Sequence, residues 1–352
     1  MPLSIPFPSW LKPEIIPGLP FRWYGLMYIV AFGAAFLLYR KQVRERRFPM
    51  TDDQLSALFF WGILALLAGA RLFAAFVYDT SGTYYREPWL VFWPFRNGRF
   101  TGLQGMSYHG GVIGGIVAII VYSKVKGFEF RETGDMFAAS IPLGYTAGRL
   151  GNFINGELYG RFTRMPWGMT FPQGGIAPGD SRYAAIKAGA ESMGFDVPAS
   201  GVINLPRHPS QLYEMLLEGV LLWIVIWIVR NRKPFKGFLI SLYIGGYGLV
   251  RFFLEYFREP DADMGYPLQF VKTDLPPALG HPALCFSTGQ LLCLGMIAAA
   301  VVWGIIARRL PNSAPVRVYP PAGAEPAKSV SAEERSAARN SRRKLRRNLR
   351  RR

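Results

Sequence analysis

Apolar runs as long as a membrane is thick decide what this chain can fold into. Seven stretches, approximately Arg22–Tyr39, Leu55–Val77, Tyr108–Tyr122, Met136–Asn155, Leu212–Val229, Gly237–Phe257 and Leu284–Ile306, are dominated by apolar residues and glycine. A helix of roughly 20 such residues crosses a ~30 Å hydrocarbon core. A helix also satisfies its own backbone groups where no water is present to do so. Only 18% of the 352 residues are charged, and those are clumped between the apolar runs. A soluble chain of this length would spread more charge more evenly. The expected fold is therefore an all-α membrane protein with seven transmembrane helices. The third and fourth runs are rich in glycine, which lets membrane helices approach closely. The first run lacks a basic leader and is long enough to span, so no cleavable signal peptide is expected.

Basic residues orient the spans. The connection after the first span reads RKQVRERR (Arg40–Arg47), with five basic residues. Lys124, Lys126 and Arg131 follow the third span, Arg230, Arg232, Lys233 and Lys236 the fifth, and Arg308 and Arg309 end the seventh. These ends share one side, which the positive-inside rule makes cytoplasmic. The N-terminus is then expected on the periplasmic side and the C-terminus in the cytoplasm.

The outer connections differ in kind. Residues 158–210 are Gly/Pro-rich and long enough for a small periplasmic head, while Asp79–Met106, with Trp89, Trp93 and Phe100, reads as an interfacial arm. Residues 1–310 thus form a membrane domain, with 158–210 as its head insert. Residues 311–352 read as a disordered basic tail, because the stretch after Ser313 is Pro/Ala/Ser-rich without apolar periodicity. Its last part, Glu333–Arg352, has a net charge of +8. Such a tail suits an anionic lipid surface or a polyanion, and the lipid reading is the better prior. Cys285 and Cys293 stand eight residues apart in an apolar run. On one helix that is a rise of ~12 Å, too far for a disulfide, so both are expected to pack between helices.

Ionisable groups within spans cost about 2.5–3.5 kcal/mol each on insertion scales, which makes them functional candidates. With the expected topology, Tyr24, Arg71, His109, Arg149, Asn152, Asn155, Glu214, Glu218, Tyr247, Arg251, Glu255 and Arg258 all fall in the outer half. The inner half offers little beyond Asp135. A transporter would place polar groups near the midplane and show related halves. A one-sided cluster points instead to chemistry on a lipid of the outer leaflet or one entering laterally.

Three motifs carry that chemistry. Tyr247-x3-Arg251-x3-Glu255-x2-Arg258 places four polar side chains on one helical face. Taken alone, this ladder serves equally well as an ion-pair face docking one helix on its neighbours. The fourth span ends in GRLGNFINGELYGR (Gly148–Arg161), whose glycines admit a head group and whose Arg149 can present a planar fork to a phosphate. His109 stands among glycines in MSYHGGVIGG (Met106–Gly115) and suits proton chemistry, although a lone membrane histidine is often only a helix-to-helix bond. His208 and His281 fall in outer loops. No zinc-spaced histidines and no nucleotide-binding loop occur, so neither a metal nor a cofactor is expected.

At these residues the chain resembles the prolipoprotein diacylglyceryl transferase family over most of residues 20–308. GRLGNFINGELYGR is similar to the family signature without departure, and WYGLMY (Trp23–Tyr28), SYHGG (Ser107–Gly111) and LPRHPSQLYE (Leu205–Glu214) also resemble family segments. The insert around Gly174–Val202 and the tail after Pro311 depart from the pattern; they bear on peptide preference and cytoplasmic contacts rather than on the reaction.

The resemblance implies a multi-pass enzyme of the bacterial inner membrane. It would transfer the sn-1,2-diacylglyceryl group of phosphatidylglycerol to the lipobox cysteine thiol of a prolipoprotein, releasing glycerol phosphate, with no nucleic-acid partner. It implies Arg149 and Arg251 on the phosphate, Arg258 more peripheral, and Glu255 holding the arginines. Asn152 and Tyr24 would orient the glycerol head group, and Glu157 joins this phosphatidylglycerol-binding set. Tyr247 would bond the phosphate or His109. His109 would either take the thiol proton or position the head group. A lipid flippase, a lipid-binding assembly factor and a transferase acting on a hydroxyl would share the arginines, but they fit the signature less well.

Overall fold

The structure, a computed structural model, describes residues 4–320 apart from 17, 19–20, 97, 101–104, 260–265 and 273–274. The part of the basic tail beyond residue 320 lies outside the described residues.

Helix α1 (Trp23–Arg46) runs on through most of the basic stretch that reads as a connection. Nothing in RKQVRER breaks a helix, and the chain turns only at Arg47, which is left-handed at φ 50°, just ahead of Pro49. The extension is packed rather than loose. Gln42 is buried and donates to the Met136 carbonyl and the Ser140 hydroxyl, each at 3.0 Å. Helix α2 (Asp52–Val77) then starts from a capping box in which Thr51 and Gln54 satisfy each other's backbone N–H groups.

The arm that follows holds α3 (Thr83–Arg86), a 3₁₀ turn at Pro88–Val91 and the short strands β2 (Phe95–Arg96) and β3 (Arg99–Phe100). Buried Arg71 of α2 fastens it by donating to the Val91 carbonyl at 2.5 Å and the Tyr84 hydroxyl at 2.9 Å. Trp89, Phe92 and Trp93 are exposed, as an interfacial arm requires. Helix α4 (Tyr108–Lys126) returns against α2 with almost no gap. A methyl group added at Gly110 would overlap the Gly69 carbonyl, and one at Gly114 the Ala65 carbonyl. Only glycine permits this approach.

The expected fourth span is two helices, α5 (Phe130–Ala138) and α6 (Ile141–Asn155). The break falls before Pro142, in the first turn of α6, where a missing N–H costs nothing. Ser140 donates back to the Met136 carbonyl at 2.8 Å across the break.

Beyond α6 come β4 (Met169–Thr170), parallel to β1 (Ile5–Pro6), and α7 (Tyr183–Ser192). Phe162, Ile176, Ile186, Phe195, Ile203 and Leu205 form a separate apolar core there, closed by Ala278 and Leu279 from much later in the chain. Arg207 is buried in it, with its guanidinium over the Phe162 ring at 3.9 Å and 2.5 Å from Glu259.

The next long helix spans Ser210–Val229 and changes character midway. It runs as α8 (Ser210–Glu214), a π-helical segment (Met215–Leu221) and α9 (Leu222–Val229). Helices α10 (Phe238–Leu254) and α11 (Thr288–Arg309) pack on each other. Helix α11 starts later than the apolar run suggests, because Ser287 caps it in a second capping box. Cys285 therefore lies not on the helix but in β6 (Cys285–Phe286), paired with β5 (Leu268–Gln269). Both cysteines are free and buried.

Among the described residues, α1, α2, α4, Ser210–Val229 and α11 are long and apolar enough to cross a membrane, and α10 is apolar but shorter. The chain is a multi-pass helical membrane protein.

Two expectations about the end of the bundle where α1 stops are corrected. Asp135 is not isolated there. Its carboxylate accepts from the backbone N–H groups of Gly237, Leu239 and Ile240 at 2.9–3.1 Å, so it caps α10 from a neighbouring helix. Lys233 lies 2.7 Å from both Asp135 and buried Glu132, which also binds Arg46. Buried ionisable groups therefore occur at both ends of the bundle. Nor are residues 311–320 loose. The Val316 carbonyl accepts from Arg46 at 2.6 Å, the Tyr319 N–H donates to the Arg46 carbonyl at 2.8 Å, and the Tyr319 ring meets Phe48 edge-on at 5.2 Å. An aromatic ring with an apolar seat overrides the Pro/Ser composition around it.

Candidate active site

At the opposite end, α6, α8, the π-helical segment and α10 bring a dense set of charges together. Glu214, the last residue of α8, lies 2.8 Å from Arg149 Nε, 2.9 Å from Arg251 and 3.4 Å from Arg258. Arg251 also pairs with Glu255 at 2.8 Å, one helical turn on, and faces Glu218 at 3.8 Å. Tyr145 donates to Glu218 and accepts from Arg149 Nε at 2.6 Å. Three guanidinium groups thus converge on one carboxylate, with two more carboxylates beside it.

The local sequence explains the convergence. Arg149 and Tyr145 are four apart on α6, Arg251 and Glu255 four apart on the α10 ladder, and Glu214 and Glu218 four apart across the start of the π segment, so each element offers one polar face. π-helical turns are rare and recur at functional sites. Here the segment seats Gly219 directly on Thr146 of α6, where a larger residue would collide with the Thr146 hydroxyl. That contact carries Glu214 and Glu218 up to Arg149.

Around Arg149 the signature segment folds back on itself. Gly156 ends α6 in a left-handed conformation at φ 66°, which returns Glu157 towards the helix end. Asn152 and Asn155 donate to Glu157 Oε1 at 3.0 and 3.2 Å, and Gln211 donates to the Glu157 carbonyl at 2.7 Å. Arg149 reaches Asn152 Oδ1 at 3.5 Å. Glu255 is fixed from the far side by the Ser287 hydroxyl at 3.1 Å.

The expected site residues divide accordingly. Arg149, Asn152, Glu157, Arg251, Glu255 and Arg258 belong to this network. Tyr247 borders it through its ring, edge-on to Tyr145 at 5.8 Å, and its described contacts do not include His109. Tyr24 lines the neighbouring face, with its hydroxyl 3.0 Å from that of Tyr28 and its ring against Gly151. His109 stands apart and exposed. Its Nδ1 lies 3.0 Å from the Tyr78 hydroxyl, and its ring faces Phe73 and Tyr108.

Glu214, Glu218 and Tyr145 are the residues that motif reading passed over or left without a role. The signal was present. Two glutamates a turn apart in an otherwise apolar helix demand cationic partners. His208 and His281 lie outside this network. His208 is pushed down to about 4 by burial and keeps a bond to Tyr213 at 3.2 Å, and burial also lowers His281. No group of metal-ligating side chains occurs among the described residues.

The chain is thus a multi-pass helical membrane protein with a buried arginine–carboxylate cluster at one end of its bundle. The family model for prolipoprotein diacylglyceryl transferase matches residues 14–306, and the chain belongs to that family. A Treponema denticola protein named phosphatidylglycerol–prolipoprotein diacylglyceryl transferase is 52% identical over 319 residues, covering 86% of this chain and 94% of its own length. The Treponema pallidum protein of the same name is 46% identical, over 85% of this chain and 94% of its own length. One from Chlorobaculum tepidum is 39% identical, over 84% and 91%.

Proposed function

We propose that this chain transfers the diacylglyceryl group of phosphatidylglycerol to a prolipoprotein, the first step of lipoprotein maturation. The acceptor is the lipobox cysteine thiol, and glycerol phosphate leaves. The observation that carries the residue roles is the convergence of Arg149, Arg251 and Arg258 on Glu214, beside the signature segment.

The chemistry follows from the groups present. The sulfur attacks a saturated glycerol carbon, so negative charge grows on the departing phosphate oxygen. Guanidinium groups already fixed in place stabilise that charge more in the transition state than in the ground state. Arg149 and Arg251 hold the phosphate, with Arg258 at the edge. Glu255 holds Arg251. Asn152, Glu157 and Tyr24 orient the glycerol head group, and Tyr247 lines the phosphate site. A free thiol of pKa ~8.5 is mostly protonated at neutral pH, so removing its proton accelerates attack. His109, exposed and steadied by Tyr78, takes that proton from the peptide side.

The membrane frame is read in the same way. The chain crosses the bacterial inner membrane seven times, with α5 and α6 together forming the fourth crossing. The N-terminus and the 158–210 head face the periplasm, and the basic helix ends face the cytoplasm. Membrane domain and head together span residues 1–310. The clustering of basic residues at one set of helix ends supports this orientation.

The test is a two-substrate assay with purified protein, phosphatidylglycerol and a lipobox peptide. A diacylglyceryl mass gain on the peptide, matched by glycerol phosphate release and lost in Arg149→Ala, is the expected result. No gain from folded protein would leave the lipid-binding and flippase readings.

A further inference from the structure

The cluster is layered in depth. The side chains of Arg149, Arg251 and Arg258 are 16, 13 and 16% exposed, whereas those of Glu214, Glu218 and Glu255 are 1, 0 and 6% exposed. The arginine side chains are the more accessible layer and the carboxylates lie beneath them. Three positive charges face three negative ones. Glu214 alone lies within ion-pair distance of all three arginines.

The charge of the ligand changes during the proposed reaction, on which this inference rests. The phosphodiester of phosphatidylglycerol carries one negative charge. A C–S bond forms at the glycerol carbon, and the bond from that carbon to the phosphate oxygen breaks with its electron pair on the oxygen. The thiol proton passes to His109. The departing glycerol phosphate is a monoester, whose second pKa of about 6 leaves it close to doubly charged at neutral pH. Three uncompensated arginines would hold this product more tightly than the substrate and release it slowly.

We infer that Glu214 is a positioning residue that sets both the alignment and the net charge of the anion seat, so that the dianionic product can leave. Its Oε1 accepts from Arg251 at 2.9 Å and from Arg258 at 3.4 Å, which directs those two forks, while its Oε2 lies 2.8 Å from Arg149 Nε and acts on that guanidinium by charge. Its charge is what keeps the seat from trapping glycerol phosphate.

The test uses the purified full chain with phosphatidylglycerol and a lipobox peptide, and reads KM, kcat and the inhibition constant of added glycerol phosphate. Glu214→Gln keeps the shape and removes the charge. The expected result is product inhibition tightened at least about tenfold, a lower KM for phosphatidylglycerol and a lower kcat. Glu214→Asp keeps the charge but shortens the reach, so kcat falls while product inhibition stays at the wild-type level. Product inhibition unchanged or weakened in folded Glu214→Gln would reduce Glu214 to a helix-docking group and overturn the inference. Should that variant fail to fold, Glu214→Asp carries the test alone, and product inhibition tightened in that charge-keeping variant overturns the inference. Failure of the wild type to lipidate the peptide would instead overturn the reaction itself.

Discussion

Nδ1 of His109 lies 3.0 Å from the hydroxyl oxygen of Tyr78, so the first turn of α4 is tied to the residue that follows α2. With His109 taking the thiol proton, His109→Asn lowers kcat/KM by about 10² or more. Tyr78→Phe keeps the ring and deletes the partner, so kcat/KM falls as well, but by less. Wild-type kcat/KM in both variants would take this pair out of the mechanism.

Arg149→Lys preserves charge beside Glu214 but loses the planar fork. We expect a fall in kcat of roughly 10²–10³, the usual cost of losing one oriented donor to a developing anion. Glycerol phosphate release in detergent micelles measures it. Near-normal turnover would remove Arg149 from phosphate recognition.

The head carries its own pH dependence. Native His208 titrates at about 4, against an ordinary value of 6.5, because burial penalises its charged form. Between those values the unfolded chain binds more protons than the native one, so stability falls as pH drops from 6.5 towards 4. Thermal melts from pH 7.5 to 4.5 should show that decline, and His208→Gln should flatten it. An equal slope in both proteins would assign the decline to other groups.

Asp135 is expected to matter for folding and not for chemistry. Asp135→Leu leaves three backbone N–H groups of α10 and part of the Lys233 charge without their buried acceptor. Breaking such an arrangement costs about 3–5 kcal/mol. The melting temperature should drop sharply, while activity per folded molecule at low temperature stays near wild type. A specific loss of turnover at unchanged stability would contradict this.

Much of the site was legible because its residues repeat at helical spacing. Tyr247, Arg251, Glu255 and Arg258 share a face by arithmetic alone, and the glycines around Arg149 announced a close approach. Glu214 was harder to read, because its importance comes from arginines 65 residues upstream and 37 and 44 residues downstream, and no local pattern encodes that meeting. The break between α5 and α6 was marked by Pro142, yet an apolar run hides a break that a proline in the first turn of a helix makes at no cost. The polar lock of Arg46, Glu132, Asp135 and Lys233 escaped because basic residues at helix ends serve equally as topology signals and as buried partners. The ordering of residues 311–320 rests on one ring, Tyr319, within a segment whose composition argues the other way.

That ring and its neighbours have a bearing on biosynthesis. Arg46 ends α1, and one of its acceptors, the Val316 carbonyl, is made 270 residues later. The first and final long helices are thus clasped at a single end, and the clasp cannot close until translation has passed residue 316. A chain stopped short of residue 316 would hold every long helix described here and still leave Arg46 without that carbonyl.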